Sequence, residues 1–413
     1  MKIKLFFALA LLASSFAGLS AQNQTSPYSK FGYGILGDNA TSAQRQMGGV
    51  GYAMRSGRQV NVMNPAAYAA TDSLTFLFDM GVDYSMFWRK DAGGSDHDNG
   101  GGLDYITMQF PVTKYIGVSA GLLPYSSVGY AFGTDITNGE TTHQGTGGLN
   151  QLYLGAGITP FKNFSVGFNV SYLFGEIYND VYASSDVNTA IFEQILEVKD
   201  YHLQFGAQYS VNIGRRNTVT LGVTYSPAKT LLGKTYLLKY LQLSSSSAVN
   251  VDTIGYTDLK GNFSLPDTWG VGLSYDWNSQ FQAEVDVTYQ PWSKVKYRQM
   301  ENFSGAKFDD RWRIAAGFSY MPDPRGSYLK RVTYRAGGFY NRDYVMVENN
   351  HVRDYGVSVG LGLPAISSKT MINLGFEYHN RQATPDPLLR EKYFNVTLGI
   401  NFNQLWFFQN KLR

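Results

Sequence analysis

The sequence predicts an all-β chain, a transmembrane antiparallel β-barrel of about fourteen strands with an N-terminal hatch inside its lumen. Three observations carry that prediction. Apolar and polar residues alternate with a period of two in segment after segment from Leu74 onward, which sends successive side chains to opposite faces of a strand. The connections between these segments alternate short and long, as the two rims of a membrane barrel require. The first residues read as an export leader, and no later run is apolar and long enough to span a bilayer as a helix.

Composition agrees. The 413 residues include 44 Gly, 30 Tyr, 26 Phe and six Trp, and only 16% are charged against a usual ~25%. That excludes a disordered chain, a coiled coil and a nucleic-acid arm. With no Cys, the chain has no disulfide framework, thiolate metal site, cysteine nucleophile or lipidated N-terminal cysteine. The formal net charge is +3, of which Lys2 and Lys4 contribute two, so nothing in the bulk charge draws an acidic partner.

Residues 1–21 form the signal peptide: Lys2 and Lys4, the apolar run Leu5 to Ala13, then small residues, with cleavage after Ala21 or after Ser20. Residues 22–73 do not alternate. They carry Phe31-Gly32-Tyr33-Gly34, Met47-Gly48-Gly49-Val50-Gly51 and Asn64-Pro65-Ala66-Ala67, with Gly and Pro placed for tight turns. Ile35, Leu36, Val60, Val62 and Met63 give this segment enough apolar surface to pack as a plug. The barrel occupies 74–408, with a short extension at 409–413.

Its strands are expected at 74–88, 103–112, 116–132, 148–159, 164–183, 197–213, 218–236, 265–277, 280–297, 308–321, 331–344, 350–363, 371–382 and 393–405. In 281–289 the odd positions are Phe281, Ala283, Val285, Val287 and Tyr289, and the even ones are Gln282, Glu284, Asp286 and Thr288. Trp88, Trp269, Trp277, Trp312 and Trp406 fall in the apolar phase near strand ends, where interfacial aromatics belong. Trp292, after Pro291, does not. The connections 113–115, 160–163, 214–217 and 278–279 are short, whereas 89–102, 133–147, 184–196 and 237–264 are long and rich in Gly, Ser, Asn and Asp. An even strand number places both chain ends at the periplasmic rim. A secreted sandwich or propeller also alternates, but rarely needs so many consecutive two-faced strands, and no propeller repeat recurs.

A plug inside a confined lumen needs its charges matched by the wall. Arg45, Arg55 or Arg58 is therefore expected to pair with lumen-phase carboxylates among Asp79, Asp83, Glu284 and Asp286. In the third strand, Leu122-Leu123-Pro124-Tyr125 places a proline where it has no N–H to give a neighbour, which predicts an edge or a bulge.

The run Arg45 to Gly51 followed by Asn64-Pro65-Ala66, then Leu265-Pro266-Asp267-Thr268-Trp269-Gly270, Trp292-Ser293-Lys294-Val295 and Asp310-Arg311-Trp312-Arg313 resembles the FadL family of outer-membrane transporters for long-chain fatty acids and hydrocarbons. The resemblance covers essentially the whole mature chain. It implies a hatch built on Gly48, Gly49, Gly51, Asn64, Pro65 and Ala66, and lateral release of a hydrophobic small molecule at a kinked third strand, here Leu122 to Tyr125. It further implies a monomer in the outer membrane of a Gram-negative bacterium, surrounded by outer-membrane lipid. The family's ligand-contacting side chains do not map onto positions of this chain. A second class is a non-transporting barrel that binds a protein partner, such as a component associated with secretion machinery.

No catalytic constellation, metal site or cofactor motif is expected. Gly117-Val118-Ser119-Ala120-Gly121 and Gly356-Val357-Ser358-Val359-Gly360 match a nucleophile-elbow spacing but lie inside alternating strands, without the required strand-turn-helix. The five histidines show no metal-ligand spacing.

Overall fold

The structure, a computed structural model, describes residues 26–91, 93–136, 139–184, 188–243, 249–298, 307–365 and 369–405. The expected signal peptide at 1–21, residues 22–25, Trp406 and the expected extension at 409–413 lie outside them.

Fourteen strands close into one antiparallel ring in chain order. They are β1 Thr75–Lys90, β2 Ser95–Pro111, β3 Ile116–Ile136, β4 Gly139–Phe161, β5 Phe164–Ser184, β6 Asn188–Ile213 and β7 Asn217–Ser226, followed by β8 Thr268–Trp277, β9 Phe281–Gln290, β10 Arg311–Tyr320, β11 Thr333–Val347, β12 Asn350–Pro364, β13 Met371–Thr384 and β14 Arg390–Leu405. Closure comes from β14 pairing with β1, from Thr75↔Leu405 to Lys90↔Arg390. Pairing around a ring satisfies backbone groups within the sheet, which is what makes a sheet tolerable in a bilayer.

Residue chemistry fixes the faces. Val285, Leu273, Val357, Leu154 and Phe168 are exposed on the outer wall, with Trp88, Trp269, Trp277 and Trp312 exposed nearer the strand ends. Glu284, Asp286, Arg313, Arg335 and Asp354 lie on the opposite phase and are buried in the lumen. Tight turns follow from backbone preference. Asn278 and Ser279, both at φ +55°, are the central residues of the tight turn between β8 and β9, a geometry in which both central residues need positive φ.

Several segments expected as long loops are largely strand. β2 begins at Ser95, β3 runs to Ile136, β4 begins at Gly139 and β6 begins at Asn188. The ladder needs only backbone groups, and above the bilayer both faces are free to be polar, so pairing continues where alternation fades. The strand expected at 218–236 ends at Ser226, because Pro227 interrupts it. The chain resumes as a hairpin, Gly233–Leu243 with Val249–Asp258, whose first strand pairs with the outer half of β6. Likewise 280–297 is strand only to Gln290, and a single 3-10 turn, Trp292–Lys294, follows Pro291.

One expectation about the chain ends is overturned. β14 ends at Leu405 on the short-turn rim, but Ser26 bonds to Glu391 and to Gly129, near the long-loop ends of β14 and β3. Residues 26–73 then run back through the lumen to the start of β1, so the segment enters from the loop side.

Candidate functional site

The lumen is built in three parts: an apolar core at the loop side, a plug seated against the wall, and a charged chamber between them. Tyr33, Trp292, Tyr344 and Phe263 are fully buried in the first. Trp292 stacks on Tyr344 at 4.2 Å, and the Tyr344 hydroxyl donates to the Gly34 carbonyl at 2.6 Å. Each buried aromatic of this kind contributes about 1.5–3 kcal/mol through removal of apolar surface from water. Trp292 follows the lumen phase of Gln290 past the end of its strand and lies in this core.

The plug is held mainly by its own backbone. Asp286 Oδ2 accepts the amides of Gly51 and Tyr52 at 2.7 and 3.0 Å, and Glu284 Oε1 accepts those of Ala53 and Met54 at 2.8 and 3.1 Å. Arg313 donates to the carbonyls of Gly48 and Gly49, while Ser358 Oγ accepts the Gly48 amide at 2.9 Å. Gly48 and Gly49 have φ +77° and +75°, a left-handed turn that a side chain would strain. Asn64 Oδ1 accepts the Ala66 amide at 3.0 Å, and Pro65 opens the 3-10 turn Pro65–Ala70. The Asn64 amide donates to the Tyr52 carbonyl, tying the Asn-Pro-Ala turn to the loop above.

A belt of inward glycines receives this backbone. A Cβ at Gly157 or Gly167 would overlap Pro65, one at Gly222 the Tyr52 carbonyl, and one at Gly317 or Gly337 the Met47 backbone. Gly117, Gly206, Gly272, Gly360, Gly375 and Gly399 complete the belt on further strands. Much of the chain's high glycine content is thereby a matter of plug clearance.

The charge pairing expected between plug and wall is not what forms. Arg45 pairs with Asp104 at 3.0 Å, a residue outside the expected set. Arg55 donates to the Ser165 hydroxyl at 2.7 Å, and Arg58 pairs with Asp72 of its own segment. Glu284 Oε1 and Asp286 Oδ2 accept four converging amides, and no cation pairs with either residue among the described residues. Asp79 accepts from the Tyr105 hydroxyl and the Asn401 amide at 2.8 and 3.0 Å. Asp83 meets only the Ser85 hydroxyl, at 3.4 Å. Backbone donors, which carry no sequence signature, stand where cations were expected at Glu284 and Asp286.

The chamber has a volume of about 300 Å³. Its walls include Asp38, Arg45, Asp104, Arg313, Glu377 and Arg381, with Gly48 and Gly49 of the plug on one side and Leu36, which packs on the apolar core, on another. Asp38 bridges Arg311 and Arg313 at 3.2 and 3.3 Å. Burial works against its charge, but Arg313 and then Arg311 outweigh it and hold the carboxyl below its ordinary value. Arg381 pairs with Asp354 at 2.9 Å. Arg311, Arg313, Asp354, Glu377 and Arg381 sit in the polar phase of their strands, the sequence signal that marks them.

Beside the chamber the barrel wall comes apart. The β2–β3 ladder runs from Pro111↔Gly117 to Ile106↔Leu122 and stops, while β3 continues to Ile136 still paired with β4 on its other side. The β3–β4 register shifts between Pro124 and Ser126, with Tyr125 the extra residue, and Leu123 is buried in the lumen. Plug residues Ile35 and Leu36 pair antiparallel with Ser127 and Ser126 on the freed edge, and the Gly37 amide donates to the Tyr125 carbonyl at 2.9 Å. The outer half of β2, from Ser95 to Tyr105, pairs with β1 alone.

Comparison with known proteins bears on this arrangement. A family model described as BamG matches residues 1–413. No curated protein matches the chain. Among solved structures it is similar to the toluene transporter TodX of Pseudomonas putida, with a TM-score of 0.63 and 14% identity over 90% of this chain and 99% of that one. A FadL homologue of Pseudomonas aeruginosa gives 0.60 and 14% over 89% and 99%. The toluene transporter TbuX of Ralstonia pickettii gives 0.57 and 14% over 88% and 98%. At these identities the likeness establishes a FadL-type barrel fold.

Proposed function

The chain belongs to the BamG family, and from that premise we propose that this FadL-type barrel sits in the outer membrane of a Gram-negative bacterium and passes hydrophobic molecules, of the fatty-acid or hydrocarbon class, sideways through its wall. The end of the β2–β3 ladder at Ile106↔Leu122 carries the reading. With the loop side filled by an aromatic core and the opposite side by the plug, an axial route is poorly served, whereas a break in the wall lets an apolar molecule reach the bilayer without crossing water. Crossing water would cost roughly 25 cal/mol per Å² of apolar surface.

The test uses the chain's lack of cysteine. A barrel carrying Leu103→Cys and Ser127→Cys, bridged by a bis-maleimide, should lose uptake of a fluorescent long-chain fatty acid, and the unbridged variant should retain it. Equal uptake by both sinks lateral passage.

A second reading is favoured by one feature. The hairpin Gly233–Leu243 and Val249–Asp258 lengthens the outer half of β6 into a sheet beyond the membrane band, a surface suited to a protein partner, and membership of the BamG family is compatible with that role. Deletion of residues 233–258 should then release a co-purifying protein while leaving fatty-acid uptake intact.

A further inference from the structure

The charges of the chamber do not balance within its own walls. Arg311 and Arg313 are taken by Asp38, Arg45 by Asp104 and Arg381 by Asp354. No arginine or lysine forms an ion pair with Asp83, Asp343 or Glu377 among the described residues. Glu377 meets His379 at 3.3 Å and Asn395, and Asp343 accepts the following amide of Tyr344. Even in the paired groups one oxygen is left over. Asp104 Oδ2, Asp354 Oδ1 and Glu377 Oε1 are buried with no hydrogen-bond partner among the described residues, although all three side chains are more than nine-tenths buried and line the same chamber. His379 Nδ1 approaches Asp354 Oδ1 no closer than 3.7 Å. Buried carboxylate oxygens without donors are costly. The chamber therefore carries six carboxylates, Asp38, Asp83, Asp104, Asp343, Asp354 and Glu377, against four arginines, Arg45, Arg311, Arg313 and Arg381.

The same chamber opens on the break in the wall. Gly101, Gly102 and Leu103 of β2 and Pro124, Ser126 and Ser127 of β3 line it, on two strands that are not hydrogen-bonded to each other there. Leu103 is exposed on the outer surface at that point. A molecule that fills both places needs two ends of opposite character.

We propose that the chamber holds the ammonium head of an amphiphile, a long-chain amine or amino-headed lipid, whose apolar tail leaves through the β2–β3 seam. The head supplies N–H donors and a positive charge to Asp104, Asp354 and Glu377, and the tail stays in hydrocarbon. This deepens the lateral reading by naming the ligand's chemistry, and rests on it for the route of the tail. A pure hydrocarbon would leave those oxygens unpartnered, and a carboxylate head would add like charge.

The test is calorimetric titration of the folded barrel in neutral maltoside detergent with dodecylamine, dodecanoate and butylamine. Dodecylamine should bind one to one, at least tenfold more tightly than either of the others. Comparable binding of butylamine means a free-amine site with no use for the tail, and comparable binding of dodecanoate means that the head charge is wrong; either overturns the proposal. Glu377→Gln and Asp343→Asn, neither of which strands an arginine, should each weaken dodecylamine at least fivefold while the barrel keeps its heat-modifiable migration. Unchanged affinity in both also overturns it. Because binding needs no transport, loss of uptake in the bridged barrel and loss of amine binding fail separately.

Discussion

The two sides of the lumen treat buried charge in different ways. On the β9 side, Glu284 and Asp286 are neighbours on one face, yet between them they accept four plug amides. On the opposite side, β1, β2, β12 and β13 carry Asp83, Asp104, Asp354 and Glu377 around an open volume, with no plug amide bonded to any of them among the described residues. The wall differs in parallel. β8 and β9 pair at every position from Trp269↔Tyr289 to Trp277↔Phe281, while β2 and β3 part after Ile106↔Leu122. Carboxylates on the continuous side anchor the plug's backbone, and those on the broken side line the open chamber.

The largest effect should come from removing the anchor. Glu284→Ala with Asp286→Ala leaves four buried amides without acceptors, a loss on the order of 4 kcal/mol or more. Hydrogen exchange at residues 51–54 should accelerate sharply while strand amides stay protected; unchanged protection would mean that the plug is held elsewhere. Next comes the outer surface of the same continuous wall. Val285→Arg should impair insertion by about 2–4 kcal/mol, as should Leu398→Arg, with Gln282→Arg milder because its side chain is on the lumen phase. Equal loss of heat-modifiable folded barrel for all three would reverse the face assignment. On the broken side, Pro124→Val with deletion of Tyr125 restores a backbone donor and removes the extra residue. It should lower uptake of a hydrophobic probe while leaving the amount of folded barrel unchanged, and undiminished uptake would count against the seam. The smallest effect concerns Asp38. Its carboxyl is held below the ordinary value, so the stability it contributes is present above the unfolded pKa of about 3.9 and is lost as pH falls through the folded value. Acidification below that range should raise exchange at residues 35–38 before the barrel melts, and Asp38→Asn should remove the pH dependence.

The strands were legible because lipid on one side and lumen on the other force opposite chemistry on alternate residues, as in Phe281 to Tyr289. Where that contrast ends, the reading ended too. Asn188 to Leu196 is strand in the structure, but its pairing partners are backbone groups of β5 and the outer hairpin. The site was legible in part. Pro124 announced a defect in the ladder through its missing N–H, whereas the termination of β2–β3 pairing depends on two strands diverging in space, which no local pattern records. Arg45, Glu284 and Asp286 were identifiable as lumen charges. Their partners were not, because Asp104 is one carboxylate among many and amides are everywhere.

The glycine belt bears on how freely the plug's sequence can change. The wall meets Met47, Tyr52 and Pro65 chiefly at main-chain atoms, so most of what it recognises is a path through space rather than the identity of side chains. Substitutions in the plug that preserve its turns are open to drift, whereas a single methyl group on the wall side, at Gly222 or Gly317, is not. The barrel thus constrains its occupant by shape, and the inheritance of that shape rests more on residues far along the chain than on the plug itself.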